Sequence, residues 1–330
     1  MFLNMEKINE VSNVVQPIMV GLPNDLYHNG DPYKEWLSST SIKDYMVSPK
    51  FARYKKEHPL DFGISAEASE KGSLYHAYME SMVNYGDDSH WLDDYFVFEG
   101  PVNEKTGKTY GRESQKFVEA FEAAQAANDG KLPISQQDVD LVKTMADQLL
   151  NHCRETSKQV RIIIKQGKAE ISHFVEYKDC KFKYRPDVET KRKIVDWKTV
   201  AVDDLHEDTI IKIIKKFHYG ISAAFYQFFE HEQSGIWKDF YWIFQQKSPP
   251  FDAVLVSAEN WGYKEDKGYV SLGPSALEFA KLRDQHIYCQ QNNDWDGAQV
   301  FIQPGFKGHR IMSADSPTYG REYNFFNKDE

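Results

Sequence analysis

At 330 residues, 41% hydrophobic and 14% aromatic by count, the chain can bury a large core in one elaborated domain or two, which excludes a disordered or fibrous protein. A formal net charge of -10 sits awkwardly with partners bound through phosphates, since lysine and arginine drive such binding. No window holds the roughly 18 apolar residues of a membrane span, Met1 to Glu10 lacks a secretory signal, and Cys153, Cys180 and Cys289 lack the close pairing of zinc, iron–sulfur or disulfide frameworks, so a soluble cytoplasmic protein with no membrane partner is expected.

Residues 1–35 mix polar side chains with Pro17, Pro23 and Pro32 and predict an N-terminal arm with a strand or turn. Ser39 or Thr40 is placed to cap a short helix through Met46, and Ser48-Pro49 opens another. From Ala66 to Tyr85, Leu74, Tyr75, Tyr78, Met79 and Met82 recur at helical spacing, with Gly72, His76 and Glu80 along one side. Residues 99–115 predict an exposed loop, and helices over 113–128 and 135–151 follow it, so 99–165 forms a loop and helical insertion. The period then changes to two. Glu170–Tyr177, Lys181–Glu189 and Ile194–Val200 predict three consecutive strands joined at Lys178-Asp179 and Lys191-Arg192, and this meander is expected to centre the molecule. A helical stretch over 203–233, broken near Phe217–Gly220, leads to strands at Trp237–Gln245 and Ala253–Ser257 and a last helix at Pro274–Asn292.

The chemistry gathers on the hairpin. A turn symmetric about Lys191 and Arg192 sets Asp187 opposite Asp196, with side chains about 5 Å apart on one face, and the two-residue period brings Lys198 to that face. Two carboxylates so close repel unless a cation lies between them, and a hard divalent ion such as magnesium is the natural occupant. Lys198 beside it would position water or offset charge on a phosphorus centre under in-line attack. A bare D-x-K also fits a salt-bridged surface hairpin. Against that, Ile194 and Val195 make the strand apolar, and Pro186 stands where a bulge would aim Asp187 outward. Basic residues cluster nearby at Lys181, Lys183 and Arg185, at Lys191 to Lys193, and at Lys212, Lys215 and Lys216, so the charge distribution is less adverse than the sum.

With Gly72-Ser73-Leu74-Tyr75-His76 upstream, Arg185-Pro186-Asp187 followed by Asp196-Trp197-Lys198 resembles the RecE-type exonucleases among the RecB-like PD-(D/E)xK nucleases. Ser38-Ser39-Thr40-Ser41, Ser48-Pro49 and Gly167-Lys168-Ala169-Glu170 extend the likeness over about 20–290. The resemblance implies an α/β (α+β) restriction-endonuclease-like core, with a central mixed sheet flanked by helices, in a single domain over 36–330 whose catalytic sheet spans 169–257. It implies His76, Asp187, Asp196 and the Trp197 carbonyl as metal ligands, Lys198 as the catalytic lysine and Glu170 as a supporting acid; Glu80 is read as structural. Where the family carries a Q-x-x-x-Y helix, this chain has Ser222 in place of glutamine and keeps Tyr226, so Tyr219, Ser222 and Tyr226, with Arg185, are the expected phosphate contacts.

The expected function is a magnesium-dependent DNA exonuclease, with manganese able to substitute. By the resemblance it acts 5′→3′ on double-stranded DNA ends and leaves 3′ tails for recombination, in a phage or prophage setting within a bacterial host, beside a single-strand annealing protein. A homo-oligomeric ring enclosing the duplex, bases inward, reconciles the charge with DNA binding. The alternatives are a non-catalytic DNA-end or partner-binding module on a decayed nuclease core, and a structure-specific endonuclease that cuts closed circles.

Overall fold

In the computed structural model, which describes residues 17–58 and 66–295, helix starts follow serine hydroxyls. Ser48 accepts the Phe51 N–H at 3.0 Å ahead of Pro49, and Ser114 and Ser135 do the same for Phe117 and Asp138. The first short helix differs. Ser38, rather than Ser39 or Thr40, meets the Ser41 N–H, and Ser41–Met46 closes as a tighter 3-10 turn. Residues 1–16 of the expected arm and the last stretch, 296–330, lie outside the described residues.

In chain order, β1 (Ile18–Met19), α1 (Asn24–Asn29) and two 3-10 turns precede α2 (Pro49–Glu57) and α3 (Ala66–Asn84). Next come β2 (Tyr95–Val97), α4 (Gln115–Ala127), β3 (Leu132–Ile134), α5 (Gln136–Asp147) and α6 (Arg154–Gln166). The centre is built from β4 (Lys168–Ala169), β5 (Ser172–Tyr177), β6 (Cys180–Tyr184), β7 (Val188–Glu189), β8 (Lys193–Val200), α7 (Glu207–Lys216), α8 (Tyr219–Ser234), β9 (Asp239–Gln246) and β10 (Ala253–Ser257). A hairpin of β11 (Tyr263–Asp266) and β12 (Tyr269–Leu272) leads to α9 (Pro274–Asn292).

The main sheet runs β10-β9-β8-β7-β4 and is mixed: β8 and β9 are parallel, and the other pairs are antiparallel. Parallel neighbours need a long crossover, which α7 and α8 provide. The pleat of β8 sends Val195 and Trp197 into one core with α3, α5 and α6, and Ile194 and Val200 into another with α7 and α8. Helices thus cover both faces. A third core joins β6 to α8 and α9.

The expected three-strand meander is split between two sheets. β5 and β6 belong to a separate sheet, β1-β5-β6, and only β7 of the expected strand Lys181–Glu189 pairs with β8. Between β4 and β7 the chain changes sheets twice, at Glu170 and at Arg185-Pro186-Asp187. Glu170 adopts a left-handed backbone, φ 54°, which ends β4 before β5 begins, and Pro186 has no N–H to give a ladder. The register is as expected: Val188 faces Val195 and Glu189 faces Ile194, which brings Asp187 opposite Asp196. Helix α6 and the β11–β12 hairpin stand beyond the expected elements. Among the described residues, no helix is long and apolar enough to cross a membrane, and all three cysteines are buried free thiols.

Candidate metal centre

Both sheet crossings deliver a carboxylate. Asp187, outside the ladder, turns its side chain back onto β8, where Oδ2 accepts the Trp197 N–H at 2.5 Å. Its backbone carbonyl accepts the Glu170 N–H at 3.4 Å, which ties the two crossings together. Helix α3 supplies the third donor. Leu74, Tyr75, Tyr78 and Met79 anchor it in the core, Asn84 Oδ1 accepts the Ala169 N–H at 3.0 Å, and His76 reaches out so that Nδ1 lies 3.5 Å from Asp187 Oδ1.

The ligand atoms of His76, Glu170 and Asp187 all lie within 4.8 Å of one another. Asp196, expected as a ligand, stands beside this trio and is instead paired with Lys198, Nζ to Oδ2 2.5 Å. The Lys198 ammonium also lies 3.4 Å from the Trp197 carbonyl oxygen and 5.2 Å from the centre of the Tyr219 ring. Tyr226 donates to the Arg185 carbonyl at 3.3 Å and also bonds with Ser39, so it braces the crossing from below. Ser222 lies between the two tyrosines on α8, partly buried.

Arg185, expected to meet phosphate, is turned inward. Its guanidinium donates to Ser172 Oγ at 2.9 Å, the Leu22 carbonyl at 3.0 Å and Asn24 Oδ1 at 3.4 Å, and it stacks 3.9 Å from the centre of the Tyr27 ring. Only 7% of its side chain is exposed. The physical reason is a set of partners in residues 22–27 together with Ser172 and the Glu170 carboxylate 4.0 Å away, which no local pattern around Arg185 announces. Lys43, not singled out from the sequence, is brought beside the centre; its only local signal is a base following the Ser38–Ser41 run.

The electrostatics describe three partly buried acids that crowd one another, with Lys198 on Asp196, His76 on Asp187 and Arg185 4.0 Å from Glu170. Burial, and then the Asp187 charge, push the Glu170 carboxyl up to about 8. Burial also pushes Asp196 up, to about 6, against the pull of Lys198 and with the help of Asp187. Burial works to lower His76, but the neighbouring Asp187 carboxylate overrides it and holds the imidazole up at about 9. For Asp187 itself burial is outweighed by His76, Lys198 and the Trp197 N–H, which keep its carboxyl below the usual range. Lys198 is held above its usual value, since two aspartates outweigh its burial. Protons on His76 and Glu170 thus do the neutralising that a divalent cation could do.

Among curated proteins no relative matches. The chain is similar to a crystal structure of a "Putative exonuclease" from Eubacterium rectale, with TM-score 0.51 and 16% identity over 83% of this chain and 88% of that one, a likeness of fold. The family described as "PDDEXK-like domain of unknown function (DUF3799)" matches residues 38–267, a span that takes in the hairpin, α3 and both sheet crossings. The mixed sheet with helices on both faces is the PD-(D/E)xK-like fold, and the chain belongs to this PDDEXK-like family.

Proposed function

We propose that this chain is a divalent-metal-dependent nuclease that hydrolyses phosphodiester bonds from the ends of double-stranded DNA. The observation that carries the reading is the convergence of His76, Glu170 and Asp187 within 4.8 Å, beside a lysine held by Asp196. Two carboxylates and one imidazole fit magnesium, or manganese with its greater liking for nitrogen. The fit is supported by Glu170, whose proton is loosened by any cation that replaces it. His76, Asp187 and Glu170 would hold the ion, with Asp196 and the Trp197 carbonyl beside it, and it would supply Lewis acidity toward a phosphoryl oxygen and water.

The remaining work falls to the chain's own groups. Lys198, fixed between Asp196 and the Tyr219 ring, stays protonated and offsets charge that develops on the phosphoryl oxygens. Asp187 is oriented by the Trp197 N–H, and Tyr226 and Arg185 hold the bend that presents it. The likeness to RecE-type exonucleases extends the proposal to 5′→3′ digestion that leaves 3′ tails for an annealing partner, by a homo-oligomer that encircles DNA.

The test compares the chain with Lys198→Ala on linear and closed circular duplex, with magnesium or manganese. Shortening of the linear substrate alone, lost in the variant, is the expected result. Equal activity in both proteins removes the catalytic assignment, and cutting of closed circles replaces the exonuclease with an endonuclease.

A further inference from the structure

Lys43 lies on the Ser41–Met46 turn, far in sequence from the hairpin, yet its ammonium reaches the edge of the metal centre. It donates to the Phe217 carbonyl at 3.2 Å and stands 5.8 Å from the centre of the same Tyr219 ring that Lys198 approaches at 5.2 Å. The two amines differ in one respect. Lys198 has Asp196 as counter-ion, whereas among the described residues no carboxylate lies within ion-pair distance of Lys43; its neighbour Asp44 is taken by Lys55 at 2.7 Å. A partly buried cation that shares a ring with a second cation and lacks an acid is held at a loss that an incoming anion would relieve. Burial, and then the Lys198 charge, accordingly push Lys43 down to about 8. The basic edge continues past it, since Lys216 stands 5.2 Å from the ring centre of Phe217.

We infer that Lys43 binds a backbone phosphate of the strand being cut, adjacent to the phosphate that Lys198 faces, with the Tyr219 ring as the floor between the two amines. The inference rests on the nuclease reading for the identity of its anion. A shared ring with cations beside it suits a bent, single-stranded path, because an aromatic face tolerates any sequence while the amines track the phosphates. It also gives the family helix a use despite Ser222: Tyr219 spaces two cations, and one of them comes from the opposite end of the chain. The competing role for Lys43 is structural, an amine that caps the end of α7 through the Phe217 carbonyl.

The two roles separate in a salt titration. Binding of a short duplex with a frayed end is measured with calcium in place of magnesium, from about 50 to 200 mM salt, for the wild type, Lys43→Gln and Lys43→Arg, with unfolding midpoints recorded for each. The expected result is about tenfold weaker binding by Lys43→Gln, a salt slope smaller by about one unit, and recovery of both by Lys43→Arg. A Lys43→Gln protein with the wild-type slope overturns the inference, whatever its stability. Should that variant fail to fold, Lys43→Met, which keeps the stem, carries the same slope comparison. Wild-type protein that binds the duplex but never cuts it sinks the nuclease reading and leaves the slope to decide Lys43; wild-type protein that does not bind DNA sinks both.

Discussion

The chain holds two clusters built from the same donor types, and they lead opposite lives. His173, Glu189 and Glu230 also bring their ligand atoms within 4.8 Å of one another. There the position between the acids is filled by Lys238, whose ammonium lies 2.9 Å from Glu230 and 3.3 Å from Glu189. Tyr184 adds a hydrogen bond to Glu230 at 2.8 Å, and Gln233 Oε1 accepts from His173 Nδ1 at 2.8 Å. That cluster joins the small sheet to the main sheet and α8, and it carries its cation in its own sequence. Among the described residues no lysine stands between His76, Glu170 and Asp187: Arg185 Nε reaches Glu170 only from 4.0 Å, and Lys198 is engaged with Asp196. Acid clusters are therefore sorted by whether the fold completes them, since donor count alone ranks the two alike.

The largest expected break in this comparison is Lys238→Met. Removing one partner of a buried ion cluster should lower stability by ~3–5 kcal/mol, read in denaturant unfolding. Lys198→Ala should instead strike function and reduce cleavage of linear duplex by about 10²–10³-fold. Divalent metal sharpens the contrast further. At about a hundredfold excess over Kd it should raise the stability of the wild type by ~2.7 kcal/mol; Asp187→Asn should abolish the rise and Glu230→Gln keep it. Retention by Asp187→Asn would place the ion elsewhere.

A pH series on metal-free protein reads the same difference. The native state holds the Glu170 proton up to about 8, whereas its usual value is 4.5, so the native form binds more protons than the unfolded chain across that window. Stability should fall as pH rises from 4.5 to about 8, and His76, also raised, acts in the same direction. Glu170→Gln or added metal should flatten the fall. The smallest effect is expected at Ser222, where replacement by alanine should change stability by no more than about 0.5 kcal/mol.

Much of this was legible before folding, for local reasons. The Lys191-Arg192 turn sets the register by itself, so Asp187 opposite Asp196 follows from counting. The sheet crossings were hidden because Tyr184 and Val188 keep the alternating pattern while the partner strand changes from β5 to β8. Helix α6 was hidden by Ile162-Ile163-Ile164, a run that serves a strand as well as a helix. The inward turn of Arg185 and the arrival of Lys43 depend on contacts across 163 and 174 residues, which no window spans. Sequence spacing also placed Asp196 among the ligands, whereas its pairing with Lys198 is a matter of side-chain geometry that spacing does not reach.

The grip of Arg185 on Leu22, Asn24 and Tyr27 has a mechanical consequence. Its backbone lies two positions from Asp187, and β1 fastens the same segment to β5. A contact that tugs on residues 22–27 is therefore passed by the Arg185 side chain, beside the strand pairing and the Lys183 bond to the Tyr27 carbonyl, toward the bend that aims an acid, so alignment at the centre is adjustable from a segment that supplies none of its ligands.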